Sequence, residues 1–295
     1  MHTVSLLALK FLASSPLPAR WFYAPVLPQE RRASKSGRLS IEIVSHCWQY
    51  SRLLSYQLGS LVNHPVQDAD VTMTVFYSEE DTVTSELLAM VGELSVPNVC
   101  WNWQRMPKEH LFRRAIGRNQ AALQSTADWV WFTDCDVVFQ QGCIDALNAA
   151  LQARQDALVF PCVEQRTDIY TDNDLVSQNA LEKTELLQAS DDLFISKPVT
   201  RATGPLQITH GDVSRNNGYC RDVDFYQLPA EHFQKATEDR VFRWLVGTQG
   251  TPIDVPGVCR IQHVNKGRYQ QGSARTRMRK IVKRWQYSWR NRSGS

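Results

Sequence analysis

The sequence predicts an α/β fold with a mostly parallel central sheet and helices on both faces. Two observations predict it. Short apolar runs alternate with helical patterns along most of the chain, as strand–helix–strand units do. One of these runs, Trp129 to Phe139 (WVWFTDCDVVF), opens with four large residues and leads into two aspartates. That is the pattern of a strand buried on both faces that ends at a ligand site. No internal repeat is visible.

Taken in order, residues 1–38 hold Pro16, Pro18, Pro25 and Pro28 followed by ERRASKSGR, and read as an irregular lead-in. Leu39 to Ser45 reads as a first strand, and Ser51 to Val62 as a helix with Leu53, Leu54, Leu58 and Leu61 on one face. Asp70 to Tyr77 is a second strand, followed by the acidic loop Ser78 to Asp81 and a helix through Leu87, Leu88 and Val91. Val96 to Trp103 is a third strand. A helix from Lys108 to Thr126 carries Arg114 and Arg118 one turn apart on one face. After the Trp129 run come a helix, Cys143 to Ala153, and a strand, Ala157 to Pro161. From Cys162 to Asp192 the pattern loosens: Asp168, Asp172, Asn173 and Asp174 suggest a loop, and Leu175 to Leu187 a helix. Leu193 to Ser196 and Leu206 to His210 are short strands, and Gly211, Asn216, Asn217 and Gly218 mark a sharp turn. Ala230 to Val246 is a helix, Val258 to Val264 a strand, and the chain from Ser273 onward is helical. The expected division is a lead-in over 1–38, a catalytic domain over 39–270 and a tail over 271–295.

Composition narrows the class. A chain of 295 residues with 43% hydrophobic and 21% charged residues is ordinary for a globular protein. Its seven cysteines form no CxxC pair, which suggests reduced thiols and a cytoplasmic setting. No apolar stretch reaches the ~18 residues of a spanning helix, and a cleaved leader is not expected. The net charge of +3 conceals an asymmetry. From Val255 onward there are eleven Lys or Arg and no acid, whereas residues 1–254 carry 22 bases against 30 acids. In the tail, Met278, Ile281, Val282, Trp285 and Trp289 fall on one helical face. Such a helix suits an anionic membrane surface, which would make the protein peripheral on the inner face of a membrane. Packing back on the acidic body and nucleic-acid binding are the alternatives, the latter the least favoured.

The chemistry concentrates at Asp134 and Asp136. Along a strand these two side chains point to one side and Cys135 to the other. Two adjacent carboxylates are stable together when a cation sits between them, and a divalent metal is the usual one. Their alternative is a capping pair at a strand end. Trp101 and Trp103 offer surfaces for a sugar ring but sit in a predicted strand, where core packing is the commoner role.

Gly117-Arg118-Asn119, one helix before Phe132-Thr133-Asp134-Cys135-Asp136, resembles the arginine-helix and DxD block of GT-A (Rossmann-like) glycosyltransferases, the family-2-like ones in particular. Thr237-Glu238-Asp239 resembles the xED motif of the same superfamily, and His263 its C-terminal metal-binding histidine. The resemblance covers Leu39 to Tyr269 in the right order. It implies transfer of a sugar from a nucleoside-diphosphate donor, UDP favoured, to a hydroxyl of a carbohydrate or lipid-linked acceptor. Asp134, Asp136 and His263 would hold Mn²⁺ or Mg²⁺. Asp239 would be the general base of an inverting transfer, with Glu238 beside it and a salt bridge to Arg240 or Arg243 as the competing role. Ser45, His46, Tyr77, Glu79, Arg118 and Asp134 would contact the donor, and His210-Gly211-Asp212 the acceptor. Nucleotidyl transfer is the rival chemistry, but SHCWQYSR after the first strand lacks the glycine-rich phosphate loop that reaction needs. A phosphatase using DxD would carry it on the first strand. A non-enzyme acting through its basic tail is the remaining rival.

Overall fold

The computed structural model describes residues 6–170, 186–233 and 237–263. A short helix, α1 (Leu6–Leu12), precedes the core. Then come β1 (Leu39–His46), α2 (Ser51–Asn63), β2 (Ala69–Tyr77), α3 (Thr82–Gly92), β3 (Val99–Arg105), α4 (Lys108–Leu111) and α5 (Arg114–Gln124). The second half runs β4 (Trp129–Phe132), β5 (Val137–Phe139), α6 (Cys143–Ala150), β6 (Leu158–Pro161), β7 (Val163–Tyr170), β8 (Ile195–Pro198) and β9 (Gln207–His210). It ends with α7 (Gly211–Asn217), α8 (Asp224–Gln227), α9 (Glu238–Val246), β10 (Thr251–Ile253) and β11 (Val258–His263).

A seven-stranded sheet in the order β10-β6-β9-β4-β1-β2-β3 forms the centre. All of its pairings are parallel except those of β9, which runs against both β4 and β6. The α/β class with a mainly parallel central sheet is therefore as the sequence predicts. β1 and β4 are the inner strands, and their apolar side chains are buried on both faces: Ile41, Ile43 and Val44 against Trp129, Trp131 and Phe132. A smaller sheet, β5-β11-β7-β8, lies alongside. The chain passes from one sheet to the other five times, from β4 to β5, β5 to β6, β6 to β7, β8 to β9 and β10 to β11.

Several local expectations change. The Trp129 run is not one strand: β4 ends at Phe132 and β5 begins at Val137 in the other sheet. The predicted 108–126 helix divides at Phe112 and Arg113 into α4 and α5. Residues 163–170 form a strand where a loop was expected, and α9 begins at Glu238 rather than Ala230. The Gly211–Gly218 segment is a helix, not a sharp turn. Its glycine serves close packing, since a Cβ on Gly211 would come within 2.1 Å of the Ala127 carbonyl oxygen. Trp101 and Trp103 stack on each other at 5.5 Å, and the Trp101 indole donates to the Leu94 carbonyl. That occupies them structurally rather than as a sugar platform. The 172–174 loop, most of the 175–187 helix and the basic tail lie outside the described residues.

One close approach places the site. α5 lies against the sheet through Ala115, Gly117, Arg118, Ala121 and Ala122, four of them small. A Cβ on Gly117 would come within 2.3 Å of His46 Nε2 and 3.0 Å of the Phe76 ring. His46 cannot retreat, because its ring stacks on Phe76 at 5.0 Å. Gly117→Ala is expected to lower stability by about 1–3 kcal/mol by overpacking, against about 1 kcal/mol gained in helix propensity. Urea denaturation measures this, and adding His46→Ala should restore most of the loss. Equal losses in the single and double variants would show that the imidazole is not the obstacle.

Candidate active site

The site forms where the carboxyl ends of β1 and β4 meet the start of α5, the region where parallel sheets present ligand sites. A cleft there is lined by His46, Trp48, Phe112, Arg114, Asp134 and Asp136, among others. Asp134 and Asp136 do not alternate along a strand. The Val137 N–H donates to the Asp134 carbonyl at 3.1 Å, closing a turn over 134–137. Within it Cys135 and Asp136 are buried.

The countercharge at Asp134 is an arginine pair. Arg114 Nη1 bonds Asp134 Oδ1, and Arg118 Nη2 lies 3.4 Å from the same oxygen. Arg114 Nη2 also reaches Glu238 Oε1 at 3.2 Å. One guanidinium thus bridges the Asp134 turn and the first residue of α9. Burial opposes the charge on Arg114, but Asp134 and then Glu238 outweigh it and raise its pKa above the ordinary value. A charge-assisted cluster of this kind holds its geometry because each member would be costly to leave unpaired.

Beneath the cleft, Gly117-Arg118-Asn119 works as a support. Arg118 is fully buried and donates to the Tyr219 hydroxyl at 2.9 Å and to the Thr133 and Gly204 carbonyls, both at 3.0 Å. Tyr219 in turn donates to Gln207 at 2.8 Å. Asn119 accepts from the Tyr219 N–H at 3.0 Å. Arg118 thus lies behind the Asp134 turn and is bound to protein groups, where the sequence expectation sets it against the donor. Its two Nη atoms are taken up by Tyr219, the Thr133 and Gly204 carbonyls and Asp134.

Other expected contacts also move. Ser45 is buried and donates to Gln57 at 2.7 Å, and Gln57 donates to the Asp134 carbonyl at 3.1 Å. Ser45 thus holds the turn from behind. Tyr77 accepts from Arg105 at 3.0 Å, and Glu79 pairs with Arg105 at 2.7 Å with its side chain 68% exposed. Neither lines the cleft. The reason is that β2 and β3 lie one and two strands further out than β1. His46 does line it, with both ring nitrogens buried and without a hydrogen-bond partner. Burial first, then Arg118 and Arg114, push the His46 pKa well below its ordinary value, so it stands as a neutral imidazole.

α9 splits the acid pair. Glu238 is buried and belongs to the Arg114 cluster. Asp239 lies 3.4 Å from Arg243, one turn on, with its side chain 36% exposed. His263 is brought beside the turn, because the Ile261 N–H donates to the Asp136 carbonyl at 2.9 Å. Its Nε2 is 3.1 Å from Arg52 Nη2. Among the described residues, no three His, Cys, Asp or Glu side chains are grouped so as to hold a metal ion. His210 and Asp212 sit at the opposite end of the sheet, because β9 runs antiparallel and sets His210 opposite Trp129. There His210 contacts the Ala33 carbonyl at 3.0 Å and Asp212 accepts from the Ala33 N–H at 2.7 Å, fastening the lead-in. They do not line the cleft.

Arg114 is the site residue that the sequence reading did not select. Its signal was the four-residue spacing from Arg118, which puts both on the face of α5 turned to the Asp134 turn. All seven cysteines are free thiols. No helix among the described residues is long and apolar enough to cross a membrane.

Residues 101–220 match the family model described as Glycosyl transferase family 2. The matched span runs from β3 through α5, β4 and the Asp134 turn to Cys220, and so contains Arg114, Arg118, Asp134, Asp136 and Tyr219. The family resemblance read from the motifs is borne out to this extent: the stretch that carries the arginine helix and the two aspartates is similar to family 2 glycosyl transferases. No curated protein matches the chain. Among solved structures it is similar to S. aureus TarS 1-349 in complex with UDP-GlcNAc, with 11% identity and a TM-score of 0.46 over 78% of this chain and 60% of that one. The UDP complex of the same protein gives 13% identity and a TM-score of 0.47 over 76% and 60%. The mannosyltransferase PcManGT from Pyrobaculum calidifontis, in complex with GDP-Man and Mn²⁺, gives 17% identity and a TM-score of 0.44 over 93% and 67%. The chain spans about three fifths of the length of the TarS structures it matches.

Proposed function

We propose that the protein is a metal-dependent glycosyltransferase of GT-A type, moving a sugar from a nucleoside-diphosphate donor to an acceptor hydroxyl with inversion. The observation that carries this reading is the Arg114–Asp134–Glu238 cluster. It stands beside buried Asp136, at the carboxyl ends of parallel strands, and its Arg114 and Asp134 lie in the stretch that matches family 2.

The donor set suits a hard cation. Mn²⁺ or Mg²⁺ is commonly held by one or two carboxylates together with substrate phosphates, so a preassembled three-ligand cage is not required. Asp136 is the principal candidate ligand, with Asp134 and His263 as the further candidates. Bound there, the ion would neutralise charge on the departing diphosphate. The chain's own residues do the rest. Arg114 presents a fixed cation at the cleft, and Arg118, Gln57 and Tyr219 hold the turn in place. His46 contributes its ring to the wall of the cleft on the nucleotide side, with both nitrogens buried. Asp239 takes the proton of the acceptor hydroxyl. Glu238 is the weaker candidate for that role, because its carboxylate is buried and already engaged by Arg114.

A thermal-shift series with UDP-, GDP- and CMP-sugars, with and without Mn²⁺ or Mg²⁺, tests the reading. A true donor at ~100 times its Kd should stabilise the protein by about 2.7 kcal/mol. The metal-dependent part should vanish in Asp136→Ala while circular dichroism stays unchanged. Neither a shift nor release of nucleoside diphosphate with any of the three donors would overturn it.

A further inference from the structure

The lead-in is basic and carries exposed aromatic side chains, in contrast to the body it rests on. Residues 1–38 contain Lys10, Arg20, Arg31, Arg32, Lys35 and Arg38 against the single acid Glu30. Residues 39–254 hold 16 bases and 29 acids. Among the described residues, every exposed Phe or Trp lies in this lead-in: Phe11 at 72%, Trp21 at 65% and Phe22 at 51% exposure. Leu7, at 78%, shares the outer face of α1 with Phe11, four residues on, while Leu9 on the inner side is fully buried.

This face is fastened to one helix. The Trp244 indole on α9 donates to the Leu17 carbonyl at 2.7 Å and packs against Phe22 and Tyr23. Arg240, one turn earlier on α9, donates to Ser14 at 3.0 Å, and the Ser14 N–H returns to the Phe11 carbonyl at 3.0 Å. The end of α1 and the Trp21–Phe22 pair are thus held within about one helical turn of each other, on the helix that begins with Glu238 and Asp239.

We infer that the lead-in is a membrane-contact surface: Leu7, Phe11, Trp21 and Phe22 insert at the headgroup level of an anionic bilayer, with Lys10 and Arg20 against its phosphates. Exposed aromatics beside cations are what such an interface selects, because the rings favour the apolar boundary and each cation is drawn to the surface charge. A second copy of the chain offers acidic charge but, among the described residues, no other exposed Phe or Trp. Its other exposed large apolar side chains among the described residues are aliphatic and dispersed, such as Val83 on α3, Leu123 on α5 and Val163 on β7. The inference does not depend on the glycosyltransferase reading. Where both hold, α9 sets the acceptor base near a surface on which a lipid-linked acceptor resides.

Co-sedimentation of the full-length chain with phosphatidylcholine vesicles, with and without about 30 mol% phosphatidylglycerol, tests it. The protein should bind the anionic vesicles. A variant combining Leu7→Ser, Phe11→Ser and Trp21→Ser should bind about tenfold or more weakly with its near-UV circular dichroism and melting temperature unchanged, since these side chains are exposed. Parent protein that ignores anionic vesicles would overturn the inference, as would a triple variant that binds like the parent. Concentration-dependent dimers that disappear in the triple variant would assign the face to a second copy and overturn it as well.

Discussion

Replacing Arg118 with alanine is expected to cost about 3–5 kcal/mol of stability, the range for breaking a buried charge network from one side. The side chain is fully buried and satisfies three partners besides Asp134: the Tyr219 hydroxyl and the Thr133 and Gly204 carbonyls. Its removal takes the donor from the buried Thr133 carbonyl and the partly buried Gly204 carbonyl, leaves the Tyr219 hydroxyl only its bond to Gln207, and leaves Asp134 to Arg114 alone. Lysine should not restore the loss, because a single ammonium cannot span the three directions that the planar guanidinium reaches. Urea denaturation of the alanine and lysine variants reads the effect. A loss under about 1 kcal/mol for alanine would mean that water replaces the guanidinium and that Arg118 is not the support of the turn.

Asp239 and Glu238 should separate in kinetics. With Asp239 as the base, Asp239→Asn should lower kcat by about 10²–10⁴ with little change in donor KM, since only proton transfer is lost. Glu238→Gln removes one of the two carboxylates that Arg114 bridges. Its larger effect should fall on donor KM, because the guanidinium facing the cleft loses its fixed position. The opposite pattern, with kcat collapsing in Glu238→Gln and surviving in Asp239→Asn, would transfer the base to Glu238.

The parts of the fold legible in sequence are those where one physical demand dominates. β1 and β2 were bounded to within a residue because buried parallel strands need unbroken apolar or β-branched runs. The Trp129 run was read as one strand because its apolar content continues through Val137 to Phe139. What separates β4 from β5 is pairing with a different sheet, a long-range choice that local composition does not encode. The same limit applies at Gly211, where the glycine answers to the Ala127 carbonyl, distant in sequence. At the site, the cluster of acids was legible but its partners were only partly so. Arg118 is legible from its motif, but its burial against Tyr219 and two carbonyls is not. Arg114 was seen on the right face of α5 but not selected. Glu238 and Asp239 were identified together, and only their three-dimensional surroundings distinguish them. Ser45, Tyr77 and Glu79 follow the strand ends correctly but face away from the cleft, because which residue of a loop turns inward depends on neighbours the sequence does not name.

The five crossings between the sheets carry a consequence for how the molecule unfolds. Neither sheet is a contiguous piece of sequence: the larger draws on β1–β4, β6, β9 and β10, the smaller on β5, β7, β8 and β11. No single cut of the chain leaves both sheets whole, so neither can melt as an independent unit while the other persists. The Asp134 turn is itself one of the crossings. Free energy gained by anything bound there is distributed to both sheets at once, and cooperative loss of the entire core, rather than release of one lobe, is the cost of losing the turn.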